Sequence, residues 1–287
     1  MKYIRTFNES TNTSEIEAIC EKYNIKNYII NEDGSIDVDG DVYLYNKNLK
    51  VLPLNFRKVS GIFYCGYNQL TSLEGAPKSV GGDFSCISNH LTSLEGSPQS
   101  VGKNFSCYKC QLITLEGAPH TIGGDFYCND NQLISLEGAT QRVGGDFSCY
   151  DNQLTSLVGA PQSIGGYFSC RGNQLTTLEG APKRVGSIFW CDSNNLKNID
   201  YLPKTYKKLN INENPISKIL DLFTKPDECD WISNREDKDL IMDFIDREII
   251  QQDKLLVNRL VEFLDDIGKP KTREELIELL KNDYEIR

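Results

Sequence analysis

The strongest constraint on this chain is a 21-residue sentence repeated without a slip through residues 61–196. It reads GIFYCGYNQLTSLEGAPKSVG from Gly61 and GDFSCISNHLTSLEGSPQSVG from Gly82, and its anchor leucines are Leu70, Leu91, Leu112, Leu133, Leu154, Leu175 and Leu196. The frame extends back to Leu49 and, after a 20-residue step, forward to Ile216. Self-similarity at this period means a solenoid, in which each copy buries its apolar face only against its neighbours. Roughly nine coils are expected, and with them an extended binding surface in place of a catalytic pocket.

Within a coil the apolar positions are Phe84, Cys86, Leu91, Leu94 and Val101 and their equivalents. Phe-x-Cys alternates with period two and predicts a short strand with both side chains inward. Stacked coils then lay these strands in parallel about 4.8 Å apart, and Phe63, Phe84, Phe105, Phe126, Phe147, Phe168 and Phe189 form an inner column. Asparagines at 68, 89, 131, 152, 173, 194 and 214 recur where the chain leaves the strand. An amide there can satisfy backbone groups of both signs.

With those residues in view, the chain resembles the leucine-rich repeat family in its short bacterial and phage form. The pattern L-x-x-L-x-L-x-x-N/C-x-L is carried as Gly81, Phe84, Cys86, Asn89 and Leu91, over about three fifths of the chain. Cys110 and Lys47 stand at the asparagine position in two coils. The resemblance implies an α/β solenoid, a leucine-rich repeat horseshoe with short parallel β-strands. Between the strands, the Leu-Glu-Gly-Ala-Pro and Val-Gly-Gly arms predict extended or turn structure on the convex side, because Gly and Pro break helices.

The ends differ from the middle. Residues 1–41 read as a leader and cap, a helix opened by Ser14 and Glu17 followed by a hairpin turning at residues 31–35. The solenoid then spans 42–216, and 217–287 reads as an acidic helical cap or subdomain with helices over 239–250, 255–267 and 272–282. Lys218–Arg287 holds 12 basic and 19 acidic side chains, so most of the whole chain's net charge of −10 lies there.

Composition narrows the function. No apolar run reaches the ~18 residues of a membrane span, and Met-Lys-Tyr-Ile-Arg leads into no signal-peptide core, so a monomeric cytoplasmic protein without a membrane partner is expected. An acidic chain whose Lys78, His120, Arg142, Lys183, Arg184 and Lys204 are interleaved with glutamates is not expected to bind nucleic acid. Seven cysteines fall on the 21-residue period and read as small core residues. Cys107-x-x-Cys110 lacks the second pair or histidines of a zinc site, so no metal, cofactor or catalytic residue is expected.

What varies from coil to coil is the concave strand face. Asp83, Asp125, Tyr127, Asp146, Tyr167, Arg171 and Trp190 are the candidate contacts there, with large aromatic area and negative charge suited to a protein partner carrying a basic patch. The leading expectation is a non-enzymatic protein-binding module, and a purely structural repeat protein is an alternative. Another comes from Met1–Ser10, which resembles the leader of internal phage proteins, cut there after a glutamate; here that residue is Glu9. Under that reading the protein is virion-packaged cargo.

Overall fold

A computed structural model describes residues 13–224, 232–233, 235–251 and 254–287. The leader, including Glu9, lies outside them. The chain divides into two compact units, Met1–Asp146 and Phe147–Arg287.

The first unit opens with helix α1 (Thr13–Lys22), which buries Ile16 and Cys20. Ser14 sits inside its first turn. A hairpin follows, Tyr28–Ile30 against Ile36–Val38, and its second strand pairs in parallel with Phe56–Val59. From there the coil repeats. Each turn contributes one strand to each of two parallel sheets, where the repeat predicted one strand per coil. In the phenylalanine sheet, Phe63, Phe84, Phe105 and Phe126 pair in direct register. The valine sheet is built from the glycine-rich arms, with Val59, Val80, Val101, Ile122 and Val143 in register. These arms are therefore extended, and residues 42–216 hold no helix. A β-branched residue once per coil, flanked by glycine, suits a strand that packs on one side only.

Both sheets face one core. Phe84, Cys86, Leu91 and Leu94 are completely buried, as are their equivalents in the coils above and below. Phe63, Phe84 and Phe105 stack at 5.6 and 5.3 Å between centroids, with planes within 4° and 6° of parallel. Phe126 instead meets Phe105 edge-on at 5.3 Å. Either geometry contributes about 0.5–1.5 kcal/mol beyond burial.

The corners are held by side-chain amides bonded to the backbone. Asn89 donates to the carbonyls of Cys65, Cys86 and Ile87 at 3.1, 2.8 and 3.4 Å, and its Oδ1 accepts the Leu70 N–H at 2.9 Å. The residue just before each rung has a left-handed backbone, as at Tyr67 (φ 53°), Ser88 (53°) and Lys109 (54°). At the corner between the sheets the stacked coils leave no room for a side chain at Gly81, Gly102, Gly123, Gly144 and Gly186, although the first coil carries Ser60 there. A Cβ on Gly102 would lie 2.2 Å from the Gly81 carbonyl oxygen.

The second unit repeats the same coil. Phe147, Phe168 and Phe189 pair in register with Leu209 continuing the column, and Ile164 pairs with Val185 in the valine sheet. Helices α2 (Ser217–Leu220), α3 (Arg235–Asp246), α4 (Val257–Asp266) and α5 (Arg273–Leu280) follow. They gather around Phe223, Phe244 and Phe263, whose rings lie 5.0–5.9 Å apart. Thr272 and Glu275 form the expected capping box of α5. Helix α3 ends at Asp246 because Ile250–Gln251 leaves to pair with Lys254–Leu255, which in turn pairs with Glu285–Ile286. Tyr284 ties the tail to the coils by donating to the Lys197 carbonyl at 2.9 Å. Among the described residues no helix is long and apolar enough to cross a membrane.

Candidate functional site on the phenylalanine sheet

The outer side of the phenylalanine sheet carries the residues that alternate with the buried Phe and Cys. In the first unit, Asp83, Asp125 and Asp146 stand in one column, each immediately before or just ahead of a strand. These carboxylates are partly structural. Asp83 Oδ1 accepts the Asn104 N–H at 3.0 Å, Asn104 Oδ1 accepts from Asp125 at 2.8 Å, and Asp125 Oδ1 accepts from Asp146 at 2.8 Å. Each side chain thus caps the next coil, and Asn104 does so without a charge. The second carboxylate oxygen faces the aromatic column: Asp125 Oδ2 accepts the Tyr127 hydroxyl at 2.8 Å, as Asp41 Oδ2 accepts that of Tyr43 at 3.1 Å.

Beside this column the sheet hollows into a groove of about 260 Å³ lined by Tyr45, Tyr64, Gly66, Asp83, Ser85, Ile87, Ser106 and Tyr108. The cause is legible in one column, where Tyr64 is followed by Ser85 and Ser106 before Tyr127 restores bulk. Two small residues between large ones leave a floor with aromatic walls. Tyr43 packs edge-on against Tyr64 at 5.8 Å, and Tyr45 against Tyr67 at 5.1 Å, which holds the wall upright. Burial, followed by the nearby Asp83 and Asp41 charges, pushes the Tyr64 phenol up, so it remains a neutral donor at physiological pH. Of the candidate contacts only Asp83 lines this groove. The alternation of large and small residues, more than residue type, is the signal that finds Tyr45, Tyr64 and Tyr108.

Tyr167, Arg171 and Trp190 lie in the second unit. Tyr167 and Trp190 meet edge-on at 4.9 Å. The Arg171 guanidinium lies 5.9 Å from the centre of the Tyr150 ring and 3.9 Å from Asp192 Oδ2. Asp192, one coil on from Arg171 in the same column, is its partner and was not among the candidate contacts. Burial raises its carboxyl above the ordinary range against the opposing pull of Arg171, and its buried Oδ1 accepts no hydrogen bond.

The second unit also has a cleft of about 500 Å³ lined by Asn198, Asp200, Phe244, Glu248, Gln251 and Arg287, among others. Its lining mixes both charges with apolar surface and selects no single ligand chemistry. No group of three or more His, Cys, Asp or Glu side chains among the described residues could hold a metal ion. Compared with protein-family models, curated proteins and solved structures, the chain has no significant match in any of the three.

Proposed function

We propose that the protein is a non-enzymatic binding module whose phenylalanine sheet takes a protein partner through a basic patch. The observation that carries this reading is the tyrosine-walled groove in the first unit, with Asp83 in its lining and Asp41 and Asp125 on the same face. Rigid tyrosines offer large contact area at small entropic cost, and carboxylates beside them favour a cationic surface and repel an acidic one. An open sheet supplies no enclosure for catalysis.

Kinship with the leucine-rich repeat family belongs to the same proposal. The asparagine rungs and the L-x-x-N-x-L spacing support it. Two features set this coil apart: the glycine at the first leucine position, which the close corner requires, and the strand in place of a convex helix.

The test is affinity capture from the cell of origin with the native chain and with two variants. Asp83→Asn with Asp125→Asn removes charge and, as Asn104 demonstrates, keeps the coil-to-coil hydrogen bond. Tyr64→Ser with Tyr108→Ser flattens the groove wall. A basic protein held by the native chain, eluted by salt and lost by both folded variants is expected; equal capture by all three rejects the reading. The packaged-cargo alternative rests on Met1–Ser10 alone, and the intact mass of native material, shortened through Glu9 or full length, decides it.

A further inference from the structure

One rung of the asparagine ladder is a cysteine, and the substitution changes its chemistry. Elsewhere the rung's Oδ1 accepts backbone N–H groups from the preceding coil. Asn68 takes those of Lys47 and Leu49 at 2.9 and 3.0 Å, and Asn131 takes those of Cys110 and Leu112, both at 3.1 Å. At Cys110 a sulfur occupies this place. Its thiol donates to the Cys86 carbonyl at 3.3 Å, and only weakly, at 3.9 Å, to that of Tyr108. Asn131, by comparison, donates to three carbonyls. A neutral thiol is a poor acceptor for the converging N–H groups, whereas a thiolate is a good one.

Five cysteines of the periodic core have the opposite environment. Burial pushes the thiols of Cys65, Cys107, Cys128, Cys170 and Cys191 well up, and all are inaccessible. Cys110 is partly exposed. Hydrogen bonding with the Cys86 thiol, then the N–H groups of Asn89, Ser88 and Leu91, hold it below the ordinary thiol value. The same contact with Cys110, followed by burial, keeps Cys86 protonated. The partly exposed Cys110 sulfur thus lies 3.3 Å from the carbonyl oxygen of Cys86, whose own buried thiol donates to the Ser106 carbonyl at 3.6 Å. Lowered thiol pKa with access is what distinguishes reactive from inert cysteines.

We propose that Cys110 is a redox-active thiol and Cys86 its resolving partner, the two closing a disulfide between adjacent coils when a peroxide oxidises the protein. The Cys110 thiolate attacks a peroxide oxygen, the O–O bond breaks, and the departing oxygen takes a proton and leaves as water or an alcohol, with a sulfenic acid on Cys110. The Cys86 sulfur then attacks the Cys110 sulfur, the S–O bond breaks, and the oxygen departs as water with the Cys86 proton. The two thiols lose an electron pair and the peroxide gains it.

The test uses the full chain carrying Cys229→Ser, because Cys229 lies outside the described residues. Iodoacetamide at neutral pH should alkylate Cys110 at least about tenfold faster than any other cysteine of the folded protein. Treatment with hydrogen peroxide should then give a Cys86–Cys110 linked peptide on non-reducing mapping. Cys86→Ala should leave the sulfenic acid for capture by a dione probe. Cys110→Asn, which restores the amide rung and so keeps the coil, should show neither product. Uniform slow alkylation, a different linked pair, or unchanged oxidation in folded Cys110→Asn would overturn the proposal.

Discussion

At the residue scale, single polar atoms decide more than surface position does. Asp125 looks solvent-facing in a period-two reading, yet it hydrogen-bonds the next coil through one oxygen and Tyr127 through the other. Asp192 is the contrasting case, a carboxylate raised by burial whose side chain is only 16% exposed. Its native pKa lies above the unfolded value. Stability from this group is therefore fully present below the unfolded pKa and is lost as pH rises through the native one. Asp192→Asn is expected to stabilise the protein at neutral pH by about 1 kcal/mol, since replacing a largely buried charge with a neutral amide outweighs loss of the long, 3.9 Å ion pair to the half-exposed Arg171. Denaturant melts at several pH values check this, with the gap closing below the ordinary carboxylate range. The rung asparagines were legible from their period. The left-handed residues before them were not, because Tyr67, Ser88 and Lys109 are types that seldom adopt positive φ.

At the element scale, the phenylalanine strand was readable because Phe-x-Cys alternates, whereas the valine strand was hidden. Only one apolar residue per coil marks it, and its neighbours Gly and Pro signal breaks. Its extended form comes from pairing with the coils on either side, in register from Val59 to Val143. The third side of the coil turns on a glycine such as Gly117, with φ 86° and the Leu94 carbonyl carbon and oxygen both 2.5 Å from where a Cβ would stand. Gly117→Ala is expected to cost about 2–4 kcal/mol, from positive φ and from displaced backbone that no side-chain rotation can relieve. Thr272→Ala, which removes the capping box of α5, should cost only about 1 kcal/mol. Thermal unfolding of the two variants side by side measures both.

At the scale of the whole molecule, each unit is a stack in which a coil has only two neighbours, so protection should follow position in the stack. In the first unit, the amides of Phe84 and Phe105 bond onward to Asn104 and Asp125, both at 2.8 Å, with coils on either side. They should exchange with solvent far more slowly than those of the edge hairpin, where Ile29 is 69% exposed. Amide exchange read by mass spectrometry checks this, and uniform protection would contradict it. The repeat by itself determined the solenoid, the inner phenylalanine column, the asparagine rungs and the core position of the periodic cysteines, because each is a periodic consequence of identical coils in register. Tertiary structure alone decided the second sheet, the groove at Ser85 and Ser106, the double duty of the aspartates and the exceptional surroundings of Cys110. These depend on what the neighbouring coil places within about 3 Å, and one coil's residues do not state what the next coil's backbone needs.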